Sequence, residues 1–158
     1  KLIDLAPEVI VADVERLRAV LDTEPNEDEL VLIGRRQLRS NNSWLHNSKR
    51  LMGGKNRCTL LMHPDDAQQR NIDDGDTVVV QSRVGRLEIP MEKTDAMMPG
   101  VVSIPHGFGH GKRGSNLDVA NKNAGVSIND LTDEEHFDSL TGNAGFSGVP
   151  VEVKSTGV

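Results

Sequence analysis

Residues 30–47 read LVLIGRRQLRSNNSWLHN. Leu30 to Ile33 form a short continuous apolar run stopped by Gly34, which predicts a buried strand. The strand delivers a loop of unusual charge. Between Arg35 and Arg50 stand six basic side chains, two adjacent asparagines and the chain's sole tryptophan, with no acid. The net charge of the whole chain is -6, so this block runs against its surroundings. Seven lysines and arginines and no acid lie between Val31 and Pro64, whereas Lys1 to Leu30 hold nine acids against three bases. Like-charge blocks often serve as solvated faces, but this one also carries Asn, Ser, His and Trp.

The composition fits a chain that folds. Its 158 residues approach the size of one domain, typically about 100 to 150 residues, and Val, Ile, Leu and Met suffice for a core. Three Phe, one Trp and no Tyr make that core aliphatic and leave few rings for stacking on bases. Net acidity also argues against a nucleic-acid partner. Cys58 is the lone cysteine, so no internal disulfide and no cysteine-based cluster can form. That usage fits a reducing, cytoplasmic setting. No apolar run approaches the roughly 20 residues needed to cross a bilayer.

Six strands and a few small helices follow from the pattern. Val9, Ile10, Val14, Leu17, Val20 and Leu21 recur at helical spacing and predict a helix over residues 8–21, followed by the acidic linker TEPNEDE. Strands are expected at 30–33 and 57–62, where Cys58 reads as a small buried hydrophobe. Pro64 opens a short helix over 65–70 with acids in its first turn. The run Ile72 to Asp76 reads as a tight acidic turn, without the downstream Glu of a calcium loop. Residues 77–81 and 86–91 form a hairpin around Val84 and Gly85. Met97 to Gly100 is expected to make a type II turn into a strand at 101–104. Thr132 to Glu135 reads as a capping-box start of a helix through Leu140, and 149–153 closes the chain as a strand. The sum is a mainly β chain with small helices, a compact β-barrel.

Two loops carry chemistry. Guanidinium forks on the first pair with phosphate oxygens, and its Asn and Ser read neutral polar edges, which makes an anion cradle. The second follows strand 101–104: Pro105-His106-Gly107-Phe108-Gly109-His110-Gly111-Lys112-Arg113-Gly114. Its glycines let backbone amides approach a ligand, and His110, Lys112 and Arg113 add donors. It lacks the third glycine of a dinucleotide fingerprint and the Ser or Thr of a P-loop. Gly107 and Gly109 oppose a helix that would set His106 and His110 as metal ligands, so no metal site is expected. No nucleophile elbow is present, and no catalytic residue is assigned.

Five segments stand in order: LVLIGRRQLRSNNSWLHN, LMHPDDAQQRNIDDGDTVVVQSRVGRLEI, MPGVVSIPHGFGH, GVSINDLTDEE and GVPVEV. Together they resemble the C-terminal molybdopterin-guanine-dinucleotide-binding domain of the molybdenum and tungsten oxidoreductases. That superfamily includes formate dehydrogenases, nitrate reductases and dimethyl sulfoxide reductases. The resemblance implies a double-psi β-barrel over 30–158, with residues 1–29 the helix and linker of a preceding domain. It implies that Gly34, Arg35, Arg36, Arg39, Ser40, Asn41, Asn42 and Ser43 lie against the pterin and pyrophosphate. His106, Gly107, Gly109 and His110 form the second contact, and Asn129 touches the pterin. Trp44 is expected at the base of the first loop, with His46 and Asn47 as lesser candidates. The molybdenum or tungsten would be held by other domains of the parent, the partners implied here, so this fragment binds cofactor without catalysing. A free-standing barrel acting as a nucleotide-binding or interaction module is the alternative.

Overall fold

Strand alternation builds the core. Along Arg86–Lys93 the side chains of Leu87, Ile89 and Met91 point inward while Arg86, Glu88 and Pro90 face out, the period-two pattern of a strand with one face buried. Val149, Val151 and Val153 do the same in the last strand, and Leu30 and Leu32 in the first. In the computed structural model, which describes residues 2–23, 26, 28–112, 114 and 116–156, these strands close on one another. The elements are α1 (Glu8–Ala12), α2 (Val14–Leu21), β1 (Leu30–Arg35), α3 (Lys49–Met52), β2 (Leu60–Met62), α4 (Pro64–Gln69), β3 (Thr77–Gln81), β4 (Arg86–Lys93), β5 (Val101–Pro105), α5 (Asp118–Lys122), a 3-10 turn (Ile128–Asp130) and β6 (Val149–Ser155).

The strand order is β1-β5-β2-β4-β3-β6, closed into a barrel. β1 pairs parallel with β5 and β2 parallel with β4, while the other four pairings are antiparallel. This is the mainly β, closed barrel expected of the double-psi kind. Leu32, Leu60, Met62, Val78, Val80, Val102 and Ile104 fill it without measurable exposure.

Register decides where the loops go. Arg35 lies opposite Pro105, so β1 and β5 end side by side. β2 and β6 run against them and therefore start at that same end, as does the β3–β4 turn. Both long excursions, 36–59 and 106–148, thus leave and return at one end of the barrel. The other end holds α4, the acidic turn and the turn before β5. There His63 Nδ1 accepts from Asp65 N–H at 3.2 Å and caps α4. The carboxylate of Asp66, buried, accepts from Gly100 N–H at 2.8 Å.

Several expectations need correction. The helix over 8–21 is interrupted at Asp13, whose carboxylate is held by Arg16 at 2.8 and 2.7 Å. Neither piece buries a residue, and Arg16 also lies 3.7 Å from Asp138. Glu24, Pro25 and Glu27 of the linker lie outside the described residues. The strand expected at 57–62 is paired only from Leu60, because the Arg57 and Thr59 carbonyls are taken by the Arg35 guanidinium and Cys58 N–H by Asn56. The turn before β5 closes from Met98 O to Val101 N–H at 3.1 Å, with Gly100 at φ 81°, one residue later than expected. It sets Pro99 and Gly100 at the two central positions, where a type II turn wants them.

No helix forms over 132–140. Asp133 accepts from Glu135 N–H, and Asp138 from Leu140 N–H and Thr141 Oγ, so side chains compete with the helical ladder for its donors. The segment folds instead into a small hairpin bridged at Phe137 and Ala144. Short α3, α5 and the 3-10 turn were not anticipated.

Candidate functional site

Two arms meet at the loop end of the barrel. His106 N–H donates to Arg35 O at 3.0 Å, carrying the β1–β5 ladder one step beyond its strands. A Cβ on Gly34 would land on the His106 imidazole, and one on Gly107 would land on the Asn42 carbonyl. Glycine is therefore what lets the 106–110 arm lie directly on the 36–48 arm. Gly107 sits at φ 94°, a conformation that side chains oppose. Gly109 packs on Ser127 with the same constraint, and its N–H donates to Ala124 O at 2.8 Å. This contact carries the second arm toward the 3-10 turn.

The first arm is a chain of tight turns. Ser40 N–H donates to Gln37 O, Leu45 N–H to Ser40 O, His46 N–H to Ser43 O and Ser48 N–H to Leu45 O, all at 3.0 to 3.1 Å. Asn41 and Asn42 take φ of 44° and 57° in succession; asparagine tolerates the left-handed region best among residues with a side chain. The adjacent pair NN in the sequence is explained by that bend.

Basic side chains divide into two sets. Arg35 turns inward: Nη1 donates to Ser103 O at 2.5 Å, and Nη2 to Thr59 O at 2.7 Å, Arg57 O at 3.2 Å and Thr59 Oγ1 at 3.1 Å. Burial lowers its pKa to about 10. It clamps β5 to the segment before β2. Arg57 is likewise bound to Leu51 O at 2.7 Å and Gly53 O at 3.2 Å. Arg36 and Arg39 are exposed, as are Asn41, Asn42 and Ser43. Arg36 donates to the Asn42 side chain, and Arg39 has no hydrogen-bond or ion-pair partner among the described residues. A cleft of about 600 Å³ opens here, lined by Arg36, Gln37, Leu38, Asn41, Asn42 and Leu45. Ser40 is fully buried beneath it, its hydroxyl without a partner among the described residues.

The histidines of the second arm differ in role. Burial, and then the charge of Arg36, push the His106 pKa down, favouring a neutral ring. His110 turns away from the cleft toward His46, whose Nδ1 lies 2.8 Å from its Nε2. Asn47 leaves the cleft too: its Oδ1 accepts from Val119 N–H at 3.0 Å and caps α5. Trp44, expected at the loop base, is instead 83% exposed at the loop surface. Asn129 is exposed on the 3-10 turn, its carbonyl accepting from Thr132 Oγ at 2.9 Å. Lys112 ties this turn to the second arm through Asp130. Arg113 lies outside the described residues.

The structure thus gathers Gly34, Arg36, Asn41, Asn42, Ser43, His106 and Gly107 around the crossing of the two arms, with Arg39 exposed elsewhere on the first arm and Ser40 buried beneath it. Arg35 and His110 stand behind it, and Asn129 at its flank. Arg57 and Phe108 escaped sequence reasoning, since neither stands in a local pattern that marks a role. Cys58 is buried, and its thiol pKa is pushed up, as befits a packing residue.

An exposed, acid-free donor set of guanidinium, amide and hydroxyl groups is matched chemically to a ligand with phosphates and polar ring edges. The molydopterin dinucleotide binding domain family matches residues 30–150. The chain belongs to this family. Over 122 residues it is 32% identical to the molybdopterin-containing subunit of arsenate respiratory reductase from Chrysiogenes arsenatis, covering 72% of this chain and 14% of that one. Over 47 residues it is 49% identical to dimethyl sulfoxide/trimethylamine N-oxide reductase from Rhodobacter capsulatus, covering 30% and 6%. The fold is similar to that of acetylene hydratase from Pelobacter acetylenicus, with a TM-score of 0.68, 20% identity and coverage of 92% and 20%. The chain therefore spans a fifth or less of these proteins. The cofactor of the molybdopterin dinucleotide binding domain is molybdopterin guanine dinucleotide. No helix among the described residues is long and apolar enough to cross a membrane.

Proposed function

We propose that the loop end of this barrel holds the pyrophosphate and pterin of molybdopterin guanine dinucleotide within a larger molybdenum- or tungsten-dependent oxidoreductase. The observation that carries this reading is the division of the arginines: Arg35 is consumed by backbone carbonyls, whereas Arg36 lines an open cleft and Arg39 stands exposed without a partner among the described residues, in a stretch without acids. Arg36, Arg39, Asn41, Asn42 and Ser43 would hold the phosphates and ring edges, with Gly107 and His106 shaping the crossing and Asn129 at the pterin side. When bound, the group supplies the redox chemistry; these residues bind and orient it, and none acts on substrate.

Residues 1–29 are then the tail of a preceding domain, whose neighbours cover the exposed Val9, Ile10, Leu17 and Val20. The expected formate dehydrogenase or nitrate reductase class stands beside the arsenate and sulfoxide reductases named among the relatives, and the substrate is chosen by other domains. A cytoplasmic setting accompanies this reading, and cell fractionation tests it. To test the site, the parent protein is denatured and its released pterin and guanine are quantified. Replacing Arg36 and Arg39 together by Ala is expected to lower both at least tenfold; unchanged release would refute the assignment.

A further inference from the structure

The imidazole of His46 is completely inaccessible. Its ring lies 4.4 Å from Phe108 and 5.0 Å from His110, centroid to centroid, and its Nδ1 is within 2.8 Å of His110 Nε2. His46 belongs to the first arm and both partners to the second. One proton can join the two nitrogens: with Nδ1–H on His46 the bond is made, and Nε2 keeps only a lone pair. That Nε2 is buried and has no partner among the described residues. The opposite tautomer would bury an N–H with no acceptor, which costs more than burying a bare lone pair.

We infer that the His46–His110 pair is a positioning latch that holds the two arms of the dinucleotide cradle together while both rings are neutral, and that acid opens it. The inference rests on the proposed cofactor site. Protonation at His46 Nε2 places a charge in an apolar pocket with no acceptor, and protonation of both rings removes the acceptor of the shared bond. The charged or titratable groups facing His46 are His110 from the second arm and Arg57 from the segment before β2, and a cation at either opposes a second positive charge. Burial, then His110 and Arg57, lower the His46 pKa below the usual imidazole value. The folded pKa lies below the unfolded one, so the latch is intact above about pH 6.5 and is lost as the pH falls through the folded value.

The test uses the parent holoenzyme and the variants His46→Phe, which fills the pocket without titrating, and His110→Gln, which keeps an acceptor. Amide hydrogen exchange of residues 37–48 and 106–110, corrected for intrinsic rates, is followed from pH 8 to 5 together with retained pterin and guanine. Wild type is expected to lose protection in both arms by about tenfold per pH unit between about pH 6.5 and the folded value, levelling off below it, with cofactor loss following it. His46→Phe should abolish that pH dependence, and His110→Gln should move it. Wild-type protection that is flat to pH 5, or an identical profile in His46→Phe, overturns the latch. Arms that open in acid while the cofactor stays support the latch and contradict the cofactor site instead.

Discussion

At one end of the barrel the strands are joined by α4 and two tight turns; at the other, by the excursions 36–59 and 106–148. The first end spends its polar side chains on its own backbone. Asp66 accepts from Gly100 N–H at 2.8 Å, Asp74 from Lys93 N–H at 2.7 Å and Asp76 from Asp73 N–H at 2.8 Å. At the loop end the inner residues are also committed, Arg35 and Arg57 to carbonyls and Asn47 to α5. The outer ones are not: Arg39 is exposed and has no hydrogen-bond or ion-pair partner among the described residues. On the proposed reading, the difference separates structural side chains from cofactor-binding ones by partner rather than by residue type. Two arginines four positions apart, one closing β1 and one in the loop after it, fall on opposite sides of that line.

The largest expected loss comes from the core that both ends share. Leu32→Ala, at a side chain with no exposure, should cost about 2–5 kcal/mol in chemical denaturation, and would blur the comparison by weakening both ends. Next, Gly107→Ala must place a Cβ on the Asn42 carbonyl at φ 94°. A loss of about 1–3 kcal/mol is expected, with cofactor retention falling alongside because the arms are forced apart. At the closed end, Asp66→Ala strands the Gly100 N–H and should cost about 1–2 kcal/mol without changing cofactor content. Cofactor loss in that variant would erase the distinction between the ends.

Much of the barrel is legible in the sequence because its strands carry strong local signals. The six apolar or alternating segments were bounded by Gly, Pro and Asp, and all six pair. The sequence failed where side chains overrule local pattern. Thr132 to Glu135 has the letters of a helix start, but Asp133 and Asp138 take the amides that a helix would need. Arg57 to Thr59 look like strand, but their carbonyls serve an arginine more than twenty positions away in sequence. At the site, the acid-free block singles out the first arm, and the adjacent asparagines mark its bend. Composition alone carried no sign of which arginine turns inward, because Arg35 is aimed by the register of β1 against β5 and Arg39 by the turns that follow. His46 stayed obscure for the same reason: its partner lies 64 residues on and meets it only through the crossing of the arms.

A paired measurement in the parent enzyme separates the two arginines most directly. Arg35→Ala and Arg39→Ala are each assayed for released pterin and guanine and for unfolding free energy. Arg39→Ala is expected to lose cofactor while remaining within about 0.5 kcal/mol of wild type. Arg35→Ala is expected to lose about 1–3 kcal/mol, since buried carbonyls are left without a donor. Full cofactor occupancy in Arg39→Ala, with its stability unchanged, would contradict the claim that the outer arginine is reserved for the dinucleotide.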